Sequence, residues 1–176
     1  MASYLVVVYG PPLSGKTTVA WEIASALPGK TAVVSVDQLL GGSIAIPDED
    51  ARAELEMVHT QLRLLVANTL KNRYHVVVEG PFYFERGGVW HNFEAEIDQL
   101  VALMRQMTEK ALVVRLIASD EELARRAGAA GREGELEEAR VMATKYKARY
   151  GERFRSFDSG KTSKAEIVAA VVQALH

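Results

Sequence analysis

Residues 4–17 read YLVVVYGPPLSGKT. The first six form an unbroken apolar run rich in valine, which suits a strand buried on both faces of a parallel sheet. The run stops at Gly10, Pro11 and Pro12. Residues 10–17 then fit G-x-x-x-x-G-K-[ST], with Gly10, Gly15, Lys16 and Thr17 in the fixed positions. A strand before this loop and a helical pattern after it are the context in which the loop cradles a phosphate chain. Glycines let successive N–H groups turn inward around an anion, and the positive end of the next helix points at the same spot. Pro11 and Pro12 carry no N–H, so the donors are expected chiefly from Ser14 to Thr18. The expected ATP-binding stretch is therefore Gly10, Pro11, Pro12, Leu13, Ser14, Gly15, Lys16, Thr17 and Thr18. Lys16 would reach the β- and γ-phosphates, and Thr17 would hold Mg²⁺.

The rest of the chain repeats the strand–helix alternation. Further strand patterns are Ala32 to Val36, His75 to Val78, Ala111 to Ile117 and a weaker Phe154 to Phe157. Helical patterns cover Thr17 to Leu27, Asp50 to Lys71, Phe93 to Met107 and Glu135 to Arg149. Ser119 with Glu122, and Ser163 with Glu166, read as capped starts of two more helices. This alternation predicts an α/β fold, with helices on both faces of a parallel sheet. Gly128 to Gly134 is a glycine-rich interruption, with shorter breaks at Gly41-Gly42-Ser43 and Gly87-Gly88.

Composition bounds the function. The chain has 176 residues, 48% of them hydrophobic and 25% charged, and no cysteine. It is expected to be one domain over 1–176, long enough to bury about 70% of its unfolded surface. Without cysteine there is no disulfide framework, thiolate zinc site or cysteine nucleophile. With 21 Lys+Arg against 23 Asp+Glu the net charge is −2, which argues against strong non-specific nucleic-acid binding. No run is long enough to span a bilayer, and MASYLVVVYGPP lacks the basic start of a signal peptide. A cytoplasmic location is expected.

No N-K-x-D guanine signature occurs, and the chain is short for a motor ATPase. A small phosphoryl-transfer enzyme fits better. Such an enzyme positions groups and neutralises charge. Asp37, after the second strand pattern, is the expected general base, accepting the proton of the acceptor hydroxyl. Glu79, after the third, is either a ligand near Mg²⁺ or a second acceptor-binding acid. Arg125, Arg126 and Arg132 flank the glycine-rich break, and a lid over about 125–140 would carry them onto ATP. One of Arg125 and Arg126 is expected at the adenine or a phosphate, with the other in solvent. Arg132, with Lys16, is the expected cover for the transferring group. Asp158 is expected to shape the loop beside the adenine. Phe82, Tyr83, Phe84, Arg86, Trp90 and His91 either line an acceptor pocket or fill the core. Among them, Phe82, Tyr83 and Arg86 are assigned to the acceptor. His59, His75 and His176 lack metal-ligand spacing.

GPPLSGKT at 10–17, VSVDQLL at 34–40, VVVEGPFYFERGG at 76–88, the arginines at 125–132 and Phe157-Asp158-Ser159 resemble the small P-loop kinases. That group includes the shikimate, gluconate and adenylylsulfate kinases, and the pattern is most similar to the chloramphenicol phosphotransferases. The resemblance implies a three-layer α/β/α fold with a five-stranded parallel sheet in the order 2-3-1-4-5. It also implies ATP with Mg²⁺, an alcohol acceptor such as an antibiotic or metabolite, and Asp37 as base. The chain departs from the pattern in the single glutamate ending the third strand and in the short stretch after Asp37. Polynucleotide 5′-hydroxyl kinases share the skeleton and give the alternative acceptor. A nucleotide-binding protein without transfer activity is the alternative from another class. A monomer or homodimer is expected.

Overall fold

The computed structural model describes residues 3–43, 51–107, 110–147, 149 and 151–176, with residues 41–43 and 104 described by backbone alone. The opening strand β1 (Tyr4–Tyr9) lies at the centre of the sheet, with Leu5 to Val8 fully buried. Its side chains alternate. Leu5, Val7 and Tyr9 enter one apolar layer, while Val6 and Val8 enter the other. This two-sided burial explains why the strand reads as a continuous apolar run.

The elements then follow as α1 (Lys16–Ala26), β2 (Thr31–Ser35), α2 (Val36–Ser43), α3 (Ala51–Lys71) and β3 (His75–Gly80). Next come β4 (Tyr83–Arg86), β5 (Val89–Asn92), α4 (Glu94–Met107), β6 (Lys110–Ile117) and α5 (Asp120–Ala130). A 3₁₀ turn over Glu133–Glu135 leads to α6 (Leu136–Lys145), β7 (Phe154–Asp158) and α7 (Lys164–Leu175). The main sheet has the order β2-β3-β1-β6-β7, with every neighbouring pair parallel. Counted by its own strands this is 2-3-1-4-5, as expected. Val7 sits opposite Val78 of β3 and Val113 of β6.

Helices α1 and α7 cover one face with Ile23, Ile167 and Val171. Helices α3 and α4 cover the other. On α3, Leu55, Val58, Leu62, Val66 and Leu70 form one buried stripe. Each such side chain contributes roughly 1.5–3 kcal/mol relative to staying exposed. The expected start of this helix at Asp50 lies outside the described residues. Ser163 caps α7 with a complete capping box to Glu166. Ser119 caps α5, but Glu122 does not reach back to it. Arg125 and Arg126 hold the Glu122 carboxylate instead. Among the described residues no helix is long and apolar enough to cross a membrane.

Four elements differ from the sequence expectation. Val36 ends no strand but opens α2, which places Asp37 in a first helical turn, where a carboxylate suits the dipole. Gly41-Gly42-Ser43 is helical backbone at the end of α2 rather than a break. Gly87-Gly88 is the two-residue loop of the antiparallel hairpin β4–β5, and both residues take the positive φ that such a loop requires. The charged helix stops at Lys145 instead of Arg149, because Tyr146 turns extended and buries its ring between Tyr9 and Tyr83.

Candidate phosphate and acceptor site

Gly15, at φ 90°, starts α1, so Lys16 and Thr17 form its first turn. The Lys16 ammonium is buried and donates to the Pro11 carbonyl (2.9 Å). Ser14 N–H donates to the same carbonyl (3.3 Å). The Ser14 hydroxyl is buried without a partner among the described residues. Leu13 takes a left-handed backbone (φ 64°), and its side chain packs with Leu123, Ala127 and Ala139 from α5 and α6. A non-glycine residue in that region costs about 1 kcal/mol or more, held in place by the surrounding packing.

Arg126 ties the loop down. Its guanidinium donates to the Leu13 carbonyl (3.0 Å), to the Ser159 hydroxyl (3.0 Å) and to the Ser159 carbonyl (2.6 Å). It also pairs with Glu122 (2.7 Å). Arg125 points into solvent and meets only that carboxylate. Hydrogen bonds from Arg125, then Arg126, pull the Glu122 carboxyl down to about 2.

Thr17 donates its hydroxyl to Glu79 Oε2 (3.0 Å), and Glu79 is almost fully buried at the end of β3. Asp37 opens into the same cleft. Loss of bulk water around it pushes its carboxyl above the ordinary aspartate value, against the pull of Lys16. Burial pulls the Lys16 ammonium down, and the Asp37 and Glu79 carboxylates oppose that shift. Lys16 and Asp37 are each other's strongest charge partner.

These groups open on a cavity of about 960 Å³. Pro12, Leu13, Gly15, Lys16, Thr17 and Thr18 line one end, with Arg126 beside them. Asp37, Tyr83, Arg86 and Arg132 line the remainder. The Arg132 guanidinium is held by the Glu135 carboxylate. Gly10, Pro11 and Ser14 stand behind the lining. Glu79 meets the site through Thr17. Phe82 is fully buried beside His59 and belongs to the core. Asp158 stands outside the lining but shapes the loop after β7 as expected, its carboxylate accepting from Gly160 N–H (3.0 Å) and meeting Lys161 (3.4 Å). The stretch expected as a lid is a helical hairpin, α5 and α6 around Gly131 and the 3₁₀ turn.

Several lining residues carried no motif. Leu40, Glu85, Glu135, Glu137, Glu138, Val141 and Met142 reach the cavity from three separate elements and a turn. Only the aromatic cluster around Tyr83, Phe84 and Trp90 marked this wall in the sequence. Its footing is polar. The Tyr83 hydroxyl donates to Glu94 Oε2 (3.1 Å) and accepts from Asn92 (2.8 Å). Phe82 N–H donates to the Tyr146 hydroxyl (3.2 Å). Burial pushes the Tyr9 phenol up to about 12, and Tyr146 is raised for the same reason, so both stay protonated at neutral pH.

Residues 5–150 match the family model described as an AAA domain. No curated protein gives a significant match to the sequence. Solved structures similar over nearly the whole chain include a sugar kinase from Janibacter sp. HTCC2649, at 15% identity and TM-score 0.65, covering 98% of this chain and 94% of that one. A gluconokinase from Sinorhizobium meliloti 1021 gives 21% identity and TM-score 0.64, covering 99% and 91%. Shikimate kinase from Acinetobacter baumannii, in complex with shikimate, gives 18% identity and TM-score 0.56, covering 96% and 90%. At these identities the likeness is one of fold. The central strand, the phosphate loop and the sheet order thus meet in one conclusion: the chain belongs to the AAA domain family, and its fold is that of the P-loop kinases.

Proposed function

We propose that the chain transfers the γ-phosphoryl group of ATP to a hydroxyl of a small molecule, an antibiotic or a metabolite. The observation that carries this reading is the shared cavity in which Lys16, Thr17 and Asp37 converge from two helix starts. Asp37 takes the proton of the acceptor hydroxyl. The freed oxygen forms a bond to the γ-phosphorus, the bond to the β–γ bridging oxygen breaks, and ADP leaves. Lys16 and Arg132 balance charge on the oxygens of the group in flight. The raised carboxyl of Asp37 makes it a stronger base than a free aspartate once it is deprotonated.

The donor set suits Mg²⁺. Thr17 and Glu79 offer hard oxygens side by side, and an ion of this kind binding a phosphate chain needs only one or two protein groups. Among the described residues no group of three or more His, Cys, Asp or Glu forms a protein-only metal cage. Bound there with ATP, the ion would neutralise charge on the β- and γ-oxygens. Arg126 would act by holding the loop that grips the nucleotide. The chain is proposed to work in the cytoplasm as one domain.

Asp37→Asn tests the reading. Calorimetry should show ATP–Mg²⁺ affinity within about threefold of wild type, while transfer falls by about 10²–10⁴-fold. Chloramphenicol is a first acceptor to try, given the sequence resemblance. Unchanged turnover in the variant would remove Asp37 from the chemistry.

A further inference from the structure

The end of the cavity away from the phosphate loop has a charge pattern that phosphate binding does not use. Its charged lining is Asp37, Glu85, Glu135, Glu137 and Glu138 against Arg86 and Arg132. Arg132 is already engaged by Glu135. Glu137 is largely exposed and meets Arg140 outside (3.8 Å). Asp37 is drawn to Lys16 and Glu85 accepts from Gly88 N–H (2.6 Å), so the second oxygen of Glu85 and the Glu138 carboxylate are left beside one guanidinium, Arg86. Glu138 is held above the ordinary glutamate value by burial and then by Glu135, Asp37 and Glu85. Behind this wall stands another carboxylate, Glu94, whose Oε1 is buried without a partner among the described residues.

The remaining wall is aromatic, made by Tyr83, Phe84 and Trp90. Trp90 already carries a cation on its face, with the Lys145 ammonium 4.9 Å from the ring centroid. The place where an acceptor must bind is set independently of Glu85 and Glu138. The phosphate loop fixes where the γ-phosphoryl group ends, and Asp37 fixes where the hydroxyl comes in.

A second anion in this cleft meets the ATP charge and the solvent-facing carboxylates of Asp37, Glu85 and Glu138. A cation meets attraction from the acids. We propose that the acceptor is an amine-bearing alcohol, its ammonium between Glu85 and Glu138, its apolar flank on Tyr83, Phe84 and Trp90, and its hydroxyl at Asp37. This rests on the kinase reading above. The amine keeps its proton and takes no part in the transfer. Sugar acids, nucleotides and the 5′ ends of polynucleotides are disfavoured by the same field.

The test uses two matched sets of probes on the whole protein. One is 2-amino-1-phenylethanol, 1-phenylethane-1,2-diol and mandelate. The other is glucosamine, glucose and glucuronate. Each set shares a hydroxylated body and differs in charge. Binding is measured by calorimetry with a non-hydrolysable ATP analogue and Mg²⁺ present, and phosphorylation by ADP release. The cationic member of at least one set should bind about tenfold or more tightly than its neutral and anionic partners. Glu138→Gln and Glu85→Gln should each shrink that preference, with the neutral member least affected. A neutral or anionic member binding equally well or better in both sets overturns the inference, as does failure of every cationic probe to bind. Failure of the analogue itself to bind would instead overturn the kinase reading, so the two outcomes are distinct.

Discussion

The two ends of the cavity are built in opposite ways. The phosphate end comes from consecutive residues, 10–18, closed on themselves by Lys16 to Pro11 and tied to the body by Arg126. Its charged lining is cationic and its backbone is held by packing and hydrogen bonds. The acceptor end gathers Asp37 from α2, Tyr83 to Arg86 from β4, Trp90 from β5 and Glu135 to Met142 from the 3₁₀ turn and α6. Its charges are mostly acidic, and several stand open to solvent. Gripping a phosphate chain is a task the backbone can do, so the chain must satisfy one geometry. Choosing an acceptor is done by side chains, so each contributing element can change separately.

The largest effect should come from Lys16→Ala at the phosphate end. Removal of the one buried ammonium should cut transfer by about 10³-fold or more and weaken ATP binding as well. A loss of that size in turnover without weaker nucleotide binding would break the division drawn here, because it would make Lys16 a partner of Asp37 alone. Kinetics combined with nucleotide calorimetry read both quantities.

Gly10→Ala comes next. A Cβ at Gly10 would stand 2.2 Å from the Leu116 carbonyl oxygen, and its φ of 155° leaves no relaxed alternative for a larger residue. The cost should be about 3 kcal/mol, lowering Tm by roughly 6–12 °C. An alanine variant that melts like wild type would show that the loop has more freedom than its packing indicates.

Arg126→Ala and Arg125→Ala sharpen the comparison within one helix. The first removes three bonds to Leu13 and Ser159 and should cost about 1.5–3 kcal/mol, with nucleotide affinity falling in parallel. The second removes an exposed pair and should leave both melting and nucleotide affinity close to wild type. Equal effects in thermal melts and binding titrations would refute the tether.

The smallest effect concerns Asp37 and pH. Its carboxyl sits above the ordinary aspartate value in the folded chain. The base must be ionised, so turnover should fall as pH drops through a midpoint higher than that of a free aspartate. Stability runs the other way. The raised carboxyl favours the fold at low pH and loses that contribution as pH rises through its folded value. Asp37→Asn should therefore melt slightly higher than wild type at neutral pH, with the difference vanishing in acid. A lower Tm for the variant at neutral pH would contradict the direction of the shift.

Legibility follows the same division. β1, the loop and α1 could be read because burial on both faces leaves a continuous apolar run and the loop is contiguous. The sheet order came from resemblance, and the pairing bears it out. The hairpin β4–β5 is not legible although Gly87-Gly88 marks its turn, because its strands are four residues each and neither alternates between buried and exposed positions. Phe82 and Phe84 look alike in sequence and both pack against His59 in the core, yet only Phe84, inside β4, also reaches the cavity wall. Glu138 carried no local signal at all. Only the packing of α6 beside the cleft gives it a role, and no spacing along the chain encodes that.

Leu13 joins the two halves of this picture. It is part of the backbone proposed to encircle an anion, yet its side chain is wedged among Leu123, Ala127 and Ala139. Any swing of the α5–α6 hairpin must therefore either drag the loop with it or pull that peg from its socket. The proposed grip on a nucleotide and the posture of the hairpin are thus coupled through the Leu13 side chain as well as through Arg126.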